Sequence, residues 1–191
     1  MKRFTKNSQA FTLVETLVAI AILMISISGP LAVANKALTA ALYAKDQSTA
    51  SFLAQEEMEV IKNIKDNTAL ADPSDWIGYF GSCANGPADM CELSIANNSG
   101  GSLNFSSIGI IISGCDSGLG CKLHATDYGY DSNAPSSPST IFYRYFYLTP
   151  LSDPGKPNYG NEYQATVVVS WNEGTIKNAV TMQSELLNVA P

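Results

Sequence analysis

Charged residues are scarce in this sequence, and histidine is almost absent. Charged residues form 15% of the chain, against about 25% in typical soluble proteins. His124 is the single histidine, and no serine lies near it in the context of a nucleophile elbow. The chain also lacks the glycine-rich loop and lysine that bind nucleotide phosphates. We therefore expect no enzymatic activity, no catalytic residue and no cofactor.

The scarcity of charge is greatest near the N-terminus. Between Ala10 and Asn35 the only charged residue is Glu15. As a helix, residues 11–34 would span about 36 Å, enough to cross a hydrocarbon core of about 30 Å. Three bases lie among the first six residues, so the N-terminus is expected in the cytoplasm and the following domain outside.

The net charge of −6 argues against nucleic-acid binding. Proteins gain affinity for nucleic acids when their basic side chains displace counterions from the phosphates, and an acidic domain does not gain this affinity.

Two simple interpretations of this apolar segment leave Glu15 unexplained. An ordinary secretory signal peptide would end at the small residues 32–34, which read Ala-Val-Ala. A one-span membrane anchor is the second interpretation. Both place a carboxylate in an apolar segment, where an ionisable side chain is costly and commonly functional.

The run Ala10-Phe11-Thr12-Leu13-Val14-Glu15 resembles the cleavage and methylation motif of type IV prepilins and type II secretion pseudopilins. The resemblance implies a leader peptide, residues 1–10, that a prepilin peptidase and methyltransferase removes between Ala10 and Phe11. Phe11 would then be N-methylated, and Glu15 would be the fifth residue of the mature chain. Ala10 stands where the family usually has glycine.

The resemblance also implies a function and a set of partners. It implies a minor pilin or pseudopilin, a structural subunit of a type IV pilus or a type II secretion filament. The expected partners are the processing enzyme, other pilin subunits, the inner-membrane assembly platform, and membrane lipid before assembly. The subunit would be a single-pass inner-membrane protein with an exported domain, and later part of a surface filament. The alternative is a tip adhesin whose globular domain binds a surface or ligand.

Residues 35–70 predict an amphipathic continuation of this helix. No glycine or proline occurs between residues 35 and 67, and Leu42, Leu53 and Ile64 repeat at close to three helical turns. Upstream, Gly29 and Pro30 interrupt the helical pattern, because proline removes one backbone hydrogen bond and crowds the preceding turn. This pair is either a tolerated membrane-helix kink or a weak point that unwinds on assembly.

Residues 71–191 predict a β-rich globular domain. On the clearest strand, Phe142, Arg144 and Phe146 alternate with three tyrosines. That tyrosine face either grips a sugar or another surface, or belongs to an amphipathic strand with its hydroxyls in water. We predict an α+β, pilin-like fold in which the long N-terminal helix packs on a C-terminal antiparallel sheet. The predicted strands are Ser107–Ser113, Gly120–Ala125, Ile141–Leu148, Tyr163–Trp171 and Ile176–Leu187, with Asn172-Glu173-Gly174 as a hairpin loop between the last two.

Four cysteines lie on the exported side, where disulfides persist. We favour the pairs Cys83–Cys91 and Cys115–Cys121, because each closes a short loop, although three connectivities are possible. Zinc is the alternative, but structural zinc ligands usually lie two to four residues apart. We expect no metal site.

Three aspartates in the loop region are candidates for a calcium site. The resemblance supports this, since some pseudopilins bind calcium in this region. The sequence lacks the alternating oxygen ligands and closing glutamate of an EF-hand, so solvated loops are favoured. The three residues are Asp116, Asp127 and Asp131.

Overall fold

The computed structural model contains one long helix followed by an antiparallel sheet. This α+β arrangement is pilin-like and confirms the predicted fold class. The chain divides into two compact units, Met1–Asp46 and Gln47–Pro191. The predicted leader and the Ala10–Phe11 cleavage site lie outside the described residues. The structure describes residues 12–71, 76–96, 109–115, 121–126, 129–132, 134, 136–151 and 162–187.

Helix α1 runs from Leu13 to Ala71. In the first unit its side chains are exposed almost without exception, including every large apolar side chain from Leu13 to Leu42. Of the helices in the described part of the chain, α1 is the one long and apolar enough to cross a membrane. The helix continues through Gly29 and Pro30 without an interruption.

In the second unit, α1 has one buried face. Burial begins at Ala50 and recurs every three or four residues, as expected for a helix that packs on one side. Leu53 and Ile64 lie on this face, whereas Leu42 is exposed. The buried positions are Ala50, Leu53, Ala54, Glu57, Met58, Ile61 and Ile64.

A 3-10 helix, Gly78–Ala84, precedes the sheet, and all strand pairs in the sheet are antiparallel. Strand β5 is central. One of its edges pairs with β6, which also pairs with β7, and its other edge is shared by β1 and β3. The strands are β1 Cys91–Ala96, β2 Gly109–Gly114, β3 Cys121–Thr126, β4 Gly129–Asp131, β5 Ser139–Pro150, β6 Glu162–Glu173 and β7 Ile176–Leu187.

The hairpin between β6 and β7 is tighter than the sequence predicted. Asn172 and Glu173 belong to β6, where they pair with Lys177 and Ile176. The loop is therefore the two residues between Glu173 and Ile176. Gly174 has a φ of 62°, which fits a type II′ turn with glycine at its first central position. The predicted three-residue loop was wrong because strand pairing extends to the turn itself.

The core lies between α1 and one face of the sheet. On β6, the five odd-numbered residues from Tyr163 to Trp171 lie on one face and are all buried. Trp76 joins this face to the 3-10 helix, because its ring lies edge-on to Tyr163 at 5.6 Å and to Phe80 at 6.4 Å. Phe80 in turn lies edge-on to Phe146 of β5 at 6.2 Å. Edge-to-face pairs of this kind add about 0.5–1.5 kcal/mol each beyond burial.

Candidate functional site

The start of α1 is capped by Thr12. The Thr12 hydroxyl accepts a hydrogen bond from the backbone N–H of Glu15 at 3.3 Å, and its carbonyl accepts from the N–H groups of Glu15 and Thr16. Thr12 is thus the N-cap, and Glu15 is the third residue of the helix. An acidic residue suits this position, because the first turn carries the positive end of the helix dipole. The spacing Thr-x-x-Glu was a readable capping signal that the sequence analysis missed.

Apolar side chains surround Glu15 on the helix surface. Leu13 and Val14 are 77% and 67% exposed, and the apolar stretch continues past Ile27. Soluble proteins rarely expose a contiguous apolar surface of this extent. The surface is therefore suited to lipid or to apolar helices of other chains.

A comparison with protein families finds one match at this end of the chain. Residues 5–29 match the prokaryotic N-terminal methylation motif. This stretch is the signature of type IV pilins and pseudopilins. No curated protein and no solved structure matches the chain. The motif implies processing by a prepilin peptidase and assembly with other pilins, and it points to a structural subunit rather than an enzyme.

Beyond the pilin-type motif, the second unit contains a buried cluster of charged side chains. Arg144 of β5, Glu57 of α1 and Glu92 of β1 are each at least 97% buried. The Arg144 Nε atom lies 3.0 Å from Glu57 Oε2, and one of its terminal nitrogens lies 3.7 Å from Glu92 Oε1. Arg144 also contacts the half-exposed Glu56 at 3.8 Å and donates to the Leu53 carbonyl at 3.4 Å. The Arg144 guanidinium of β5 therefore contacts both helix α1 and strand β1.

Glu57 has the better environment for a negative charge. Besides its ion pair with Arg144, it accepts a hydrogen bond from the backbone N–H of Leu93 at 3.3 Å. That N–H is available because β1 pairs with β5 only at Cys91. Burial raises the pKa of Glu57, while Arg144 and the Leu93 N–H oppose this increase.

Glu92 has the poorer environment. Burial raises its pKa to about 9, opposed by Arg144 and reinforced by Glu57 and Asp131. Ser132 lowers this pKa to a lesser extent than Arg144 does. Neither Glu92 oxygen has a hydrogen-bond partner in the described part of the chain. Of the two buried carboxylates, Glu57 has the closer contact with Arg144 and a hydrogen bond, so it is the better placed to hold a negative charge, whereas burial favours the neutral acid at Glu92.

The sequence held two signals for this cluster. Arg144 lies between Phe142 and Phe146 on the apolar side of its strand, where a lone arginine requires carboxylates. Glu57 lies four residues from both Leu53 and Ile61, within the apolar face of α1. Glu92 carried no comparable signal, because strand β1 itself was not predicted.

Two disulfides flank the cluster. They join Cys83 to Cys91 and Cys115 to Cys121. Cys91 pairs with Phe146 of β5, and Cys121 pairs with Arg144, so β1 and β3 both meet β5 at a cystine. Glu92 lies near Cys115 and Cys121 in an arrangement resembling a metal site. Because those two sulfurs are bonded to each other, they offer no thiolate ligands.

The remaining candidates have ordinary surroundings. The His124 ring contacts the Ser137 carbonyl through Nδ1 at 3.0 Å, and Asp131 accepts a hydrogen bond from Ser94 at 2.7 Å. Asp116 and Asp127 lie outside the described residues. On β5 the tyrosine face is half-buried and opposite the core, which fits an amphipathic strand. Its members are Tyr143, Tyr145 and Tyr147.

Proposed function

We propose that this chain is a structural subunit of a type IV pilus or a type II secretion filament. It is made as a precursor, cleaved between Ala10 and Phe11, methylated on Phe11, and held in the inner membrane by residues 11–34. The observation that carries the proposal is the methylation motif at residues 5–29, whose residues 13–29 form the start of an exposed apolar helix. The partners are the prepilin peptidase and methyltransferase, the inner-membrane assembly platform and other pilins.

Glu15 sets the axial register between subunits in this proposal. A carboxylate at membrane depth costs about 2.5–3.5 kcal/mol on insertion scales, so its position in an apolar helix requires a compensating contact. Cleavage creates a cationic amine on Phe11. In a bundle of staggered helices the carboxylate of one subunit meets the amine of its neighbour, and the low dielectric strengthens that attraction. Each charge then offsets the desolvation of the other.

The proposal gives each remaining segment a part in assembly. Gly29 and Pro30 mark the place where the helix loosens if assembly requires it to extend, since proline leaves one backbone carbonyl without its helical partner. Residues 35–70 connect the membrane segment to the exported domain, residues 71–191. The resemblance implies that the chain is a minor rather than an abundant subunit. Its copy number in the filament is a separate measurement.

The location of the chain in cells tests the proposal. An epitope-tagged full chain should appear in the filament fraction sheared from the cell surface, or in membrane-attached filaments if the system is a secretion filament. The control is a variant in which residues 1–10 remain attached because Ala10 is replaced by a bulky residue. Equal recovery of both proteins from filaments, or recovery of the wild-type chain only as a soluble periplasmic protein, would contradict the proposal.

A further inference from the structure

Strand β7 forms an edge of the sheet with little protection. Among the described strands it pairs with β6 alone, in a continuous register from Ile176 to Leu187. A long edge strand presents a row of backbone N–H and C=O groups on which another strand can pair. Natural edges usually carry charges, prolines or bulges that prevent this. The segment from Asn178 to Ser184 contains none of these.

The side chains of β7 are arranged symmetrically about Thr181. On the face that adjoins the core, Val180 and Met182 lie on either side of Thr181 and are partly buried. On the opposite face, Lys177 lies four residues before Thr181 and Glu185 four residues after it. An antiparallel strand reverses residue order, so a second β7 would bring unlike charges together at both ends.

We propose that β7 pairs with the β7 strand of a second copy of this chain, antiparallel and with the two Thr181 residues opposite each other on the two-fold axis. In this register Lys177 lies opposite Glu185 of the second copy, and Val180 lies opposite Met182. The two sheets become one continuous sheet, and both core faces lie on the same side. The other opposed pairs are Ile176 with Leu186, Asn178 with Ser184, and Ala179 with Gln183.

Neighbouring registers lack this match. Directly opposite residues share a face in an antiparallel pair, so the register changes in steps of two. A step in one direction places Lys177 opposite Gln183 and Asn178 opposite Met182. A step in the other direction places Lys177 opposite Leu187. Both steps lose the charge pair and set a polar residue against an apolar one.

The symmetry of this contact limits where it can form. A two-fold axis perpendicular to the sheet makes the α1 segments of the two copies, from Gln47 onward, run in opposite directions. Subunits of one filament share a direction. If the chain has the proposed function, the contact therefore joins copies from two separate filaments or two cells. The strand pairing itself does not depend on that function.

Cysteine cross-linking of the full chain in detergent micelles tests the register. Thr181→Cys should form a covalent homodimer under mild oxidation, because the two introduced thiols lie opposite each other. Ala179→Cys is the matched control: it lies on the same exposed face, but in this register the two thiols are offset by four residues, about 13 Å. Equal cross-linking of both variants, or a monomeric Thr181→Cys chain at high concentration, would overturn the proposal.

Charge reversal tests the partner. In the Thr181→Cys background, Lys177→Glu should lose most of the dimer, Glu185→Lys should do the same, and the two together should restore it. Failure of the double variant to recover would overturn the charge pairing, as would a cross-link in membranes to a different protein instead of a second copy. A mature N-terminus other than Phe11 would contradict the proposed function without changing the cross-link in detergent.

Discussion

The Nε atom of Arg144 lies 3.0 Å from Oε2 of Glu57, and both side chains are shielded from water. Arg144 belongs to the central strand and Glu57 to the helix, so this ion pair fixes the second half of α1 to the sheet. A buried pair yields little net stability, because the desolvation of both charges offsets their attraction. Removing one member is far more damaging, since the other charge is left buried without a partner.

Replacing Arg144 should therefore destabilise the second unit strongly. We expect Arg144→Met to lower the free energy of unfolding by about 3–5 kcal/mol, measured by urea denaturation in detergent with the disulfides intact. Fluorescence of the buried Trp76 and Trp171 reports the transition. The double variant Arg144→Met/Glu57→Met should recover most of the loss. A single variant within about 1 kcal/mol of wild type would show that the pair does not hold helix and sheet together.

Stability should fall as the pH rises through neutrality. The pKa of Glu92 is about 9 in the folded chain, against 4.5 for an unperturbed glutamate. The folded state therefore keeps a proton that the unfolded chain releases, and the free energy of unfolding decreases between about pH 5 and pH 9. Burial also raises the pKa of Glu57, which acts in the same direction. The other charged groups that act on Glu92 are Arg144 and Asp131.

The variant Glu92→Gln separates this effect from other titrations. Glutamine resembles the neutral acid in size and cannot ionise, so it should keep the stability of the wild-type chain near pH 5 and remove most of the decline above it. The measurement is a series of urea titrations at several pH values. A wild-type chain that becomes more stable from pH 5 to pH 8 would contradict the assignment of the proton to Glu92.

Regular patterns made the largest elements predictable from sequence. Strand β7 has the predicted bounds, and β5 and β6 each extend the predicted strand by one or two residues at both ends. In each of these strands, side chains of two kinds alternate over enough residues for the sequence to show which face packs on the core. The strand β1 was missed because Cys91–Ala96 is short and lies in a loop-rich stretch, where pairing with β2 and the link to Cys83 determine its conformation.

The residues of the candidate site likewise differ in whether a local sequence pattern identifies them. Glu15 was identified because one carboxylate in an apolar run contradicts its surroundings, and that contradiction is local in sequence. The Arg144, Glu57 and Glu92 cluster joins residues 35 to 87 positions apart in the chain. Their meeting depends on how α1, β1 and β5 pack, which no local pattern specifies. The sequence indicated only two members of the cluster, Arg144 by its place between phenylalanines and Glu57 by its place within the apolar face of α1.

The two disulfides should differ in their contribution to stability. Each closes a short loop, for which about 2–3 kcal/mol is expected. Cys83 and Cys91 are 2% exposed, whereas Cys115 and Cys121 are half-buried. Replacing the first pair by alanine also leaves a cavity in the core, so it should lower the free energy of unfolding more than replacing the second pair. Equal losses would show that the buried position of the first cystine adds nothing.

Three variants separate the proposed register role of Glu15 from its place in the first turn of α1. If its charge sets the register between subunits, Glu15→Val and Glu15→Gln should both be cleaved and anchored but should enter filaments poorly. Thr12→Val removes the N-cap, at about 1 kcal/mol of helix stability, and should still assemble. Quantitative blotting of sheared filaments gives the comparison. Wild-type assembly of Glu15→Gln would show that the charge is not required.

The mature N-terminus tests the central claim most directly. Intact mass and N-terminal peptide analysis of the chain purified from membranes should find a polypeptide that begins at Phe11 and carries one methyl group on its amine. This result requires the prepilin peptidase and methyltransferase that the motif implies. A chain that begins at Asn35, as a signal peptidase would leave it, or one that retains residues 1–10, would contradict the assignment of this protein to filament assembly.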